Sequence, residues 1–259
     1  MELPEGLLIE DFEGPREKIV TFIREYFKQA GVSCLVMGLS GGIDSSLVAT
    51  LACQAVGPDK IRVLLMPVDA KKDARNVKDA SDLAEALGIS YDLFEIGPAV
   101  KAYDSLNLGK VARGNLMARL RMAAWYGVAN NHNGLVLGTG NKSEIMIGYF
   151  TKYGDGGVDI LPIAELYKVN VWGLAKHIGV PEHLCEKIPS AGLWANQTDE
   201  GEIGVTYPEL DSILYQRFEM GMEPSAIISA GHSERNVNRI LSLVAASQHK
   251  RAPLPKAIL

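Results

Sequence analysis

Residues 38–46 read Gly-Leu-Ser-Gly-Gly-Ile-Asp-Ser-Ser. An apolar run precedes them and a helix-like run follows. Backbone amides at such a strand-to-helix turn can converge on an anion, and the helix N-terminus adds positive partial charge. Gly41 and Gly42 let the backbone approach phosphate oxygens that a Cβ would block. Ser40, Ser45 and Ser46 offer hydroxyl donors. Asp44 is out of place beside a phosphate unless a cation lies between them, so the loop predicts Mg²⁺ bridging Asp44 and the phosphates. The Gly-Lys-Ser/Thr ending of a P-loop is missing. The bland alternative is a turn with Asp44 as an N-cap. Nine residues of this composition between a buried strand and a helix disfavour it.

Other residues have chemistry in reach of that loop. Glu144 follows a strand at the same sheet edge, where it could share Mg²⁺ with Asp44; alone it would be an exposed helix glutamate. Thr139 ends that strand, placed to reach a nucleotide or to cap a helix. Lys168 opens a helix, as a point charge for phosphate or as a solvated surface lysine. Ser190 opens an aperiodic polar stretch, 190–204, expected as a mobile loop able to close over a nucleotide. Arg119 shares a helix with Leu116, Leu120 and Ala123. Asp155 sits in a glycine-rich turn as a candidate site carboxylate.

The elements that position these residues follow from hydrophobic periodicity. Helices are expected over 15–30, 45–56, 74–88, 113–131 and 169–179. Strands are expected over 32–38, 61–68, 90–96 and 134–139. Their alternation implies an α/β fold, a parallel sheet with helices on both faces. Ligands of such sheets bind at the carboxyl ends of the strands. Residues 151–159 are too rich in glycine for a helix. Two or three helices are expected up to about residue 248, and an extended tail after it.

Composition sets limits. The chain has 259 residues and a net charge of −5, without the basic stripe of a nucleic-acid binder. Cys34, Cys53 and Cys185 form no CxxC pair, so neither a disulfide framework nor a zinc site is suggested. His132, His177, His183 and His232 show no metal-ligand spacing and are expected at the surface. The N-terminus lacks the apolar core of a signal peptide, and the expected location is the cytoplasm.

"SGGIDSS" resembles the Ser-Gly-Gly-x-Asp-Ser loop of the ATP-pyrophosphatase (PP-loop) superfamily. Its members hold the β- and γ-phosphates of ATP and attack the α-phosphate. The loop alone does not separate NAD synthetases from GMP synthetases, asparagine synthetases or tRNA-modifying enzymes. "NLMARLRM" (115–122), the 31-residue stretch 138–168 and "HKR" (249–251) make the whole chain similar to the NAD synthetase family. "GYFTKYGDGG" is the most specific of these matches.

That resemblance implies a Rossmann-like, adenine nucleotide alpha hydrolase-like sheet. It implies ATP binding by Gly38, Leu39, Ser40, Gly41, Gly42, Ile43, Asp44, Ser45, Thr139, Lys168 and Ser190, the last where the family commonly has threonine. Deamido-NAD binding is implied for Arg119, Lys152, Asp159, His249 and Lys250, and Mg²⁺ binding for Asp44 and Glu144. The implied enzyme is a C–N ligase with no covalent nucleophile. It amidates deamido-NAD through an adenylate, releases AMP and pyrophosphate, and works as a homodimer. One synthetase domain is expected to fill residues 1–259, leaving no room for a glutaminase domain. Free ammonia is then the expected nitrogen donor, with a separate glutaminase partner left open. Two rivals remain at this point: a tRNA-modifying relative, disfavoured by the acidic charge, and a non-catalytic nucleotide-binding module, disfavoured by the paired carboxylates.

Overall fold

The computed structural model describes residues 3–194 and 196–258. In chain order the elements are α1 (Glu13–Ala30), β1 (Cys34–Gly38), α2 (Ile43–Val56), β2 (Ile61–Leu65), α3 (Ala74–Leu87), β3 (Tyr91–Leu93), α4 (Gly97–Lys101), α5 (Lys110–His132) and β4 (Gly134–Val136). Then come α6 (Lys142–Ile147), α7 (Lys168–His177), α8 (Glu182–Cys185), α9 (Asp199–Ile203), α10 (Tyr207–Phe218), α11 (Pro224–Ser229), α12 (Glu234–Ala246) and α13 (Gln248–Arg251).

The strands form one parallel sheet in the order β3-β2-β1-β4. Leu35 of β1 stands opposite Ile61 on one side and Leu135 on the other. The apolar run of β1 is continuous because both its faces are covered. With a side-chain period of two, Leu35 and Met37 enter a core with Ile23, Leu47, Leu83 and Leu174, under α1, α2, α3 and α7. Cys34 and Val36 enter the opposite core with Ala129 of α5. A further core, built from α10, α11 and α12, holds Leu210, Ile213, Ile227 and Ile240. Trp172 of α7 packs against both the first core and this last one.

The expected strands are longer than the observed ones. Phe94 N–H still donates to Leu65 O and Ile96 N–H to Pro67 O. Pro67 has no amide to return the bond, so regular pairing stops there. β4 ends at Val136, which leaves Thr139 in the turn before α6 rather than at a strand end. The tail is also not extended from residue 249. His249, Lys250 and Arg251 form a helical turn, held because Lys250 and Arg251 donate to backbone carbonyls of residues 145, 146, 148 and 150. His232 is buried, contrary to its expected surface position, with Nε2 2.9 Å from Ser212 Oγ. Glu209 lies 3.8 Å from the other ring nitrogen. This serine, histidine and glutamate stand outside the cavity at the carboxyl ends of the strands and link α10 to the segment around α12.

β1 leads through α2 to β2 on one side, while its other neighbour, β4, arrives much later in the chain. The strand order therefore reverses between β1 and β4, and a crevice opens at their carboxyl ends. The 38–46 loop and α6 both start there. Gly41 has φ +73°, and a Cβ on it would lie 2.6 Å from the Asn76 carbonyl of α3. Gly41→Ala is expected to cost about 1–3 kcal/mol and to push the loop away from α3. A lowered Tm with weakened pyrophosphate binding checks this; an unchanged pair of values would contradict it.

Candidate active site

A cavity of about 860 Å³ occupies the crevice, lined by residues 38–45, Thr139, Glu144, Lys168, Ser190 and Lys250 among others. The loop braces itself. Ser45 Oγ accepts from Ser40 N–H (3.2 Å) and donates to Gly42 O (3.0 Å), and Gly42 N–H donates to Ser40 Oγ (3.2 Å). Ser46 is fully buried and donates to Gly42 O, so it serves the turn and not a phosphate. Among the described residues, the amides of Gly41, Ile43, Asp44 and Ser45 have no recorded acceptor. Those of Ile43, Asp44 and Ser45 belong to the first turn of α2 and that of Gly41 to the loop before it, an arrangement suited to an anion.

Three segments distant in sequence meet at one charge. Lys168 Nζ lies 2.6 Å from Asp44 Oδ2 and 3.4 Å from Glu144 Oε1. Its side chain is 1% exposed, so it is not a solvated lysine. Asn141 Nδ2 donates to the other Asp44 oxygen at 2.9 Å. The Asn141 side chain also accepts from Glu144 N–H in a capping box, which fixes the first turn of α6. Burial works against the charged form of Lys168, but Asp44 and then Glu144 outweigh it and raise its pKa. Glu144 moves the other way from an ordinary carboxylate: burial pushes it up to about 8, only partly offset by Lys168. One ammonium cannot fully compensate two carboxylates, so Glu144 binds a proton more readily than an ordinary carboxylate.

This pair suits a hard divalent ion. Two carboxylates already converge on one cation, and both offer oxygen ligands. No group of three or more ligating His, Cys, Asp or Glu side chains exists among the described residues. An ion such as Mg²⁺ keeps waters and phosphate oxygens and needs no all-protein cage, so two carboxylates could hold it.

The expected ATP set gathers on the cavity, with one qualification. Ser190 Oγ donates to Gln197 O at 2.7 Å and accepts from Gly192 N–H, so its hydroxyl serves the loop. Of the stretch expected as mobile, residue 195 lies outside the described residues, and the parts on either side are hydrogen-bonded. Ala191 N–H donates to Asp199 Oδ1 and Leu193 N–H to Gln197 Oε1, and the Lys110 ammonium lies 4.3 Å over the Trp194 ring. Its last residues form α9.

The expected deamido-NAD set is divided. Lys250 lines the cavity, although its ammonium is held 2.6 Å from both Gly148 O and Phe150 O. Arg119, Lys152, Asp159 and His249 do not line it. Arg119 donates to Lys152 O, Lys152 Nζ donates to His249 O, and Asp159 accepts from Tyr126 O–H and Val136 N–H.

Arg121 and Asp199, which line the cavity, and Tyr207, which does not, gave no signal in the sequence. Arg121 Nε donates to Met66 O. Asp199 and Tyr207 are buried, and Tyr207 O–H lies 3.1 Å from Asp199 Oδ2 and 3.4 Å from Glu144 Oε1. The link ties the capping loop to the metal-type carboxylate. Asp155, a candidate from its turn, does line the cavity; burial raises its pKa, and its Oδ1 accepts from Thr151 N–H.

The sequence model of the family described as NAD synthase matches residues 16–254. The chain belongs to this family. It is 43% identical over 251 residues to an NH(3)-dependent NAD(+) synthetase of Methanosarcina mazei, covering 95% of this chain and 98% of that one. Among solved structures it resembles an NMN synthetase from Francisella tularensis, with 35% identity, TM-score 0.84 and coverage of 97% and 100%. It also resembles an NH3-dependent NAD synthetase from Campylobacter jejuni, with 30% identity, TM-score 0.82 and the same coverage. The parallel sheet with helices on both faces is the fold these family members share.

In this member of the NAD synthase family, α10 secures the meeting of α6 and α7. The fully buried Asp211 takes the Ser143 hydroxyl at 2.5 Å and Val169 N–H at 2.9 Å, and Ser143 Oγ takes Lys168 N–H. Burial pushes the Asp211 carboxyl up to about 7 from 3.8. Between those values the folded protein holds a proton that the unfolded chain has lost. The contribution is therefore fully present below about pH 4 and is lost as pH rises through about 7. Urea midpoints should fall across that window, and Asp211→Asn should flatten the fall. An equal slope in the variant would remove Asp211 as its source.

Proposed function

We propose that the protein is an ammonia-dependent NAD synthetase. Its family carries out the final step of NAD biosynthesis and its members are ligases. One observation carries the proposal at the level of this chain's atoms. A phosphate loop with no lysine of its own opens on a cavity where Lys168, Asp44 and Glu144 share one cluster of charge. That arrangement suits a departing pyrophosphate better than transfer of a γ-phosphoryl group.

The nicotinate carboxylate of deamido-NAD is a poor electrophile. One of its oxygens attacks the α-phosphorus of ATP. The bond from that phosphorus to the bridging oxygen breaks, and pyrophosphate leaves with the electron pair. Ammonia then forms a C–N bond at the activated carbonyl, and AMP leaves with the attacking carboxylate oxygen. The free amides of the loop and the Lys168 ammonium stabilise charge as it moves onto pyrophosphate. Mg²⁺ held by Asp44 and Glu144 would neutralise phosphate charge. Ser190, Gly192, Leu193 and Gln197, all on the cavity wall, shield the adenylate from water. Asp155 is the assigned acceptor for the proton that ammonium must lose; its raised proton affinity and its place on the cavity wall support this. No cysteine takes part: Cys34, Cys53 and Cys185 are free thiols, and none lines the cavity.

The proposed unit is a single synthetase domain using free ammonia, supported by the near-complete coverage of the M. mazei relative. The proposed assembly is a homodimer. Arg119, the neighbouring Tyr153 and Leu106 are exposed outside the cavity, and Val111 is exposed at its wall; a second copy could cover this surface and complete the dinucleotide site. No helix among the described residues is long and apolar enough to cross a membrane; cytoplasmic location is proposed from the free thiols. Likeness to the F. tularensis NMN synthetase favours a second reading, in which the amidated acid is a mononucleotide.

The deciding assay supplies ATP, Mg²⁺ and ammonium with either deamido-NAD or nicotinate mononucleotide, and repeats each with glutamine. NAD, AMP and pyrophosphate from the dinucleotide with ammonium are expected. Preference for the mononucleotide would select the second reading, ADP with phosphate would overturn the mechanism, and equal rates with glutamine alone would overturn the ammonia assignment. Asp44→Asn should lower kcat at least ~100-fold. An unchanged kcat would remove Asp44 from the site.

A further inference from the structure

Lys168 is already matched by two carboxylates, and the loop itself contributes no cation. A second ammonium stands against the loop. Lys187 Nζ lies 2.8 Å from Gly41 O and 2.5 Å from Asp79 Oδ2 of α3. Its side chain is 19% exposed, and it lines the same cavity as Gly41, Gly42 and Asp44. A lysine ammonium has three N–H donors. Gly41 and Asp79 take two, and the third has no recorded acceptor among the described residues.

The position is held before any ligand arrives. Asp79 is itself only 14% exposed, and His183 lies 3.8 Å from its other oxygen. Gly41, the carbonyl partner, packs tightly against Asn76 of the same helix. An ammonium fixed in this way has little side-chain entropy left to lose on binding. A lysine that only braced the loop would account for the Gly41 bond. It would not need a place on the cavity wall with a donor to spare.

We propose that Lys187 binds the departing pyrophosphate, supplying from the segment after α8 the cation that the loop sequence omits. The assignment rests on the synthetase reading of this cavity. Lys187 makes and breaks no covalent bond. Its third N–H donates to a non-bridging oxygen of the β- or γ-phosphoryl group, where charge grows as pyrophosphate leaves. Lys187 directly precedes the loop over the cavity mouth, so the same contact ties the root of that loop to the phosphates.

The test is calorimetric titration of inorganic pyrophosphate, with Mg²⁺ present, into the full chain and its Lys187→Met, Lys187→Arg and Asp79→Asn variants. Loss of one charge-assisted hydrogen bond should weaken pyrophosphate binding about 10-fold or more in Lys187→Met. Lys187→Arg should recover to within about 3-fold of wild type. Asp79→Asn breaks the same brace but keeps the ammonium, so it too should stay within about 3-fold. In turnover, KM for ATP should rise in Lys187→Met while KM for ammonium holds. Unchanged pyrophosphate binding in Lys187→Met would overturn the proposal. So would an equal loss in Asp79→Asn, which would assign the effect to bracing alone. Should the wild-type chain release no AMP from ATP, the synthetase reading fails, and the titration still decides Lys187.

Discussion

The Lys168 ammonium has to answer two carboxylates in a place almost closed to water. A buried charge is tolerated only when it is paired and hydrogen-bonded, so Asp44, Glu144 and Lys168 must arrive together or not at all. They come from the first turns of α2, α6 and α7. Each first turn is held by something else: the self-bracing serine loop for α2, the Asn141 capping box for α6, and the Ser143–Asp211 pair for α7. The switch point between β1 and β4 brings these turns into one crevice. The C-terminal helices reach the site through Asp211 and Tyr207, neither of which need touch substrate.

The shared charge also shapes the chemistry. With two acids and one base, burial holds Glu144 well above the ordinary carboxylate range. A divalent ion held by Asp44 and Glu144 would relieve that imbalance and leave the Lys168 ammonium for phosphate. The cavity is therefore suited to a strongly anionic guest that brings its own cation. A P-loop places its lysine within the loop; here the Lys168 ammonium reaches the loop's aspartate from α7, far along the chain.

Much of this was legible in the sequence. The order of strands and helices follows from apolar runs and stop signals such as Gly31 and Gly88, both of which cap helices in the left-handed conformation. The phosphate loop was legible because its glycines, serines and aspartate are contiguous. Glu144 and Lys168 had ordinary readings as surface residues until the family resemblance was added. Strand ends were overrun, because periodicity does not show where Pro67 interrupts a ladder. Tyr207, Asp211 and Lys187 left no mark, since each acts through a partner more than 60 residues away. The nucleotide contact expected of Ser190 comes from the resemblance alone; the bond of its hydroxyl to Gln197 O is one that the sequence does not show.

The central claim is that this charge cluster serves attack of a carboxylate oxygen on the α-phosphorus, with pyrophosphate leaving. Deamido-NAD labelled with oxygen-18 in both nicotinate carboxylate oxygens tests it most directly. Mass spectrometry of the products should find one label in AMP and one in the amide of NAD. AMP without label, in a reaction that still makes NAD, would contradict the account.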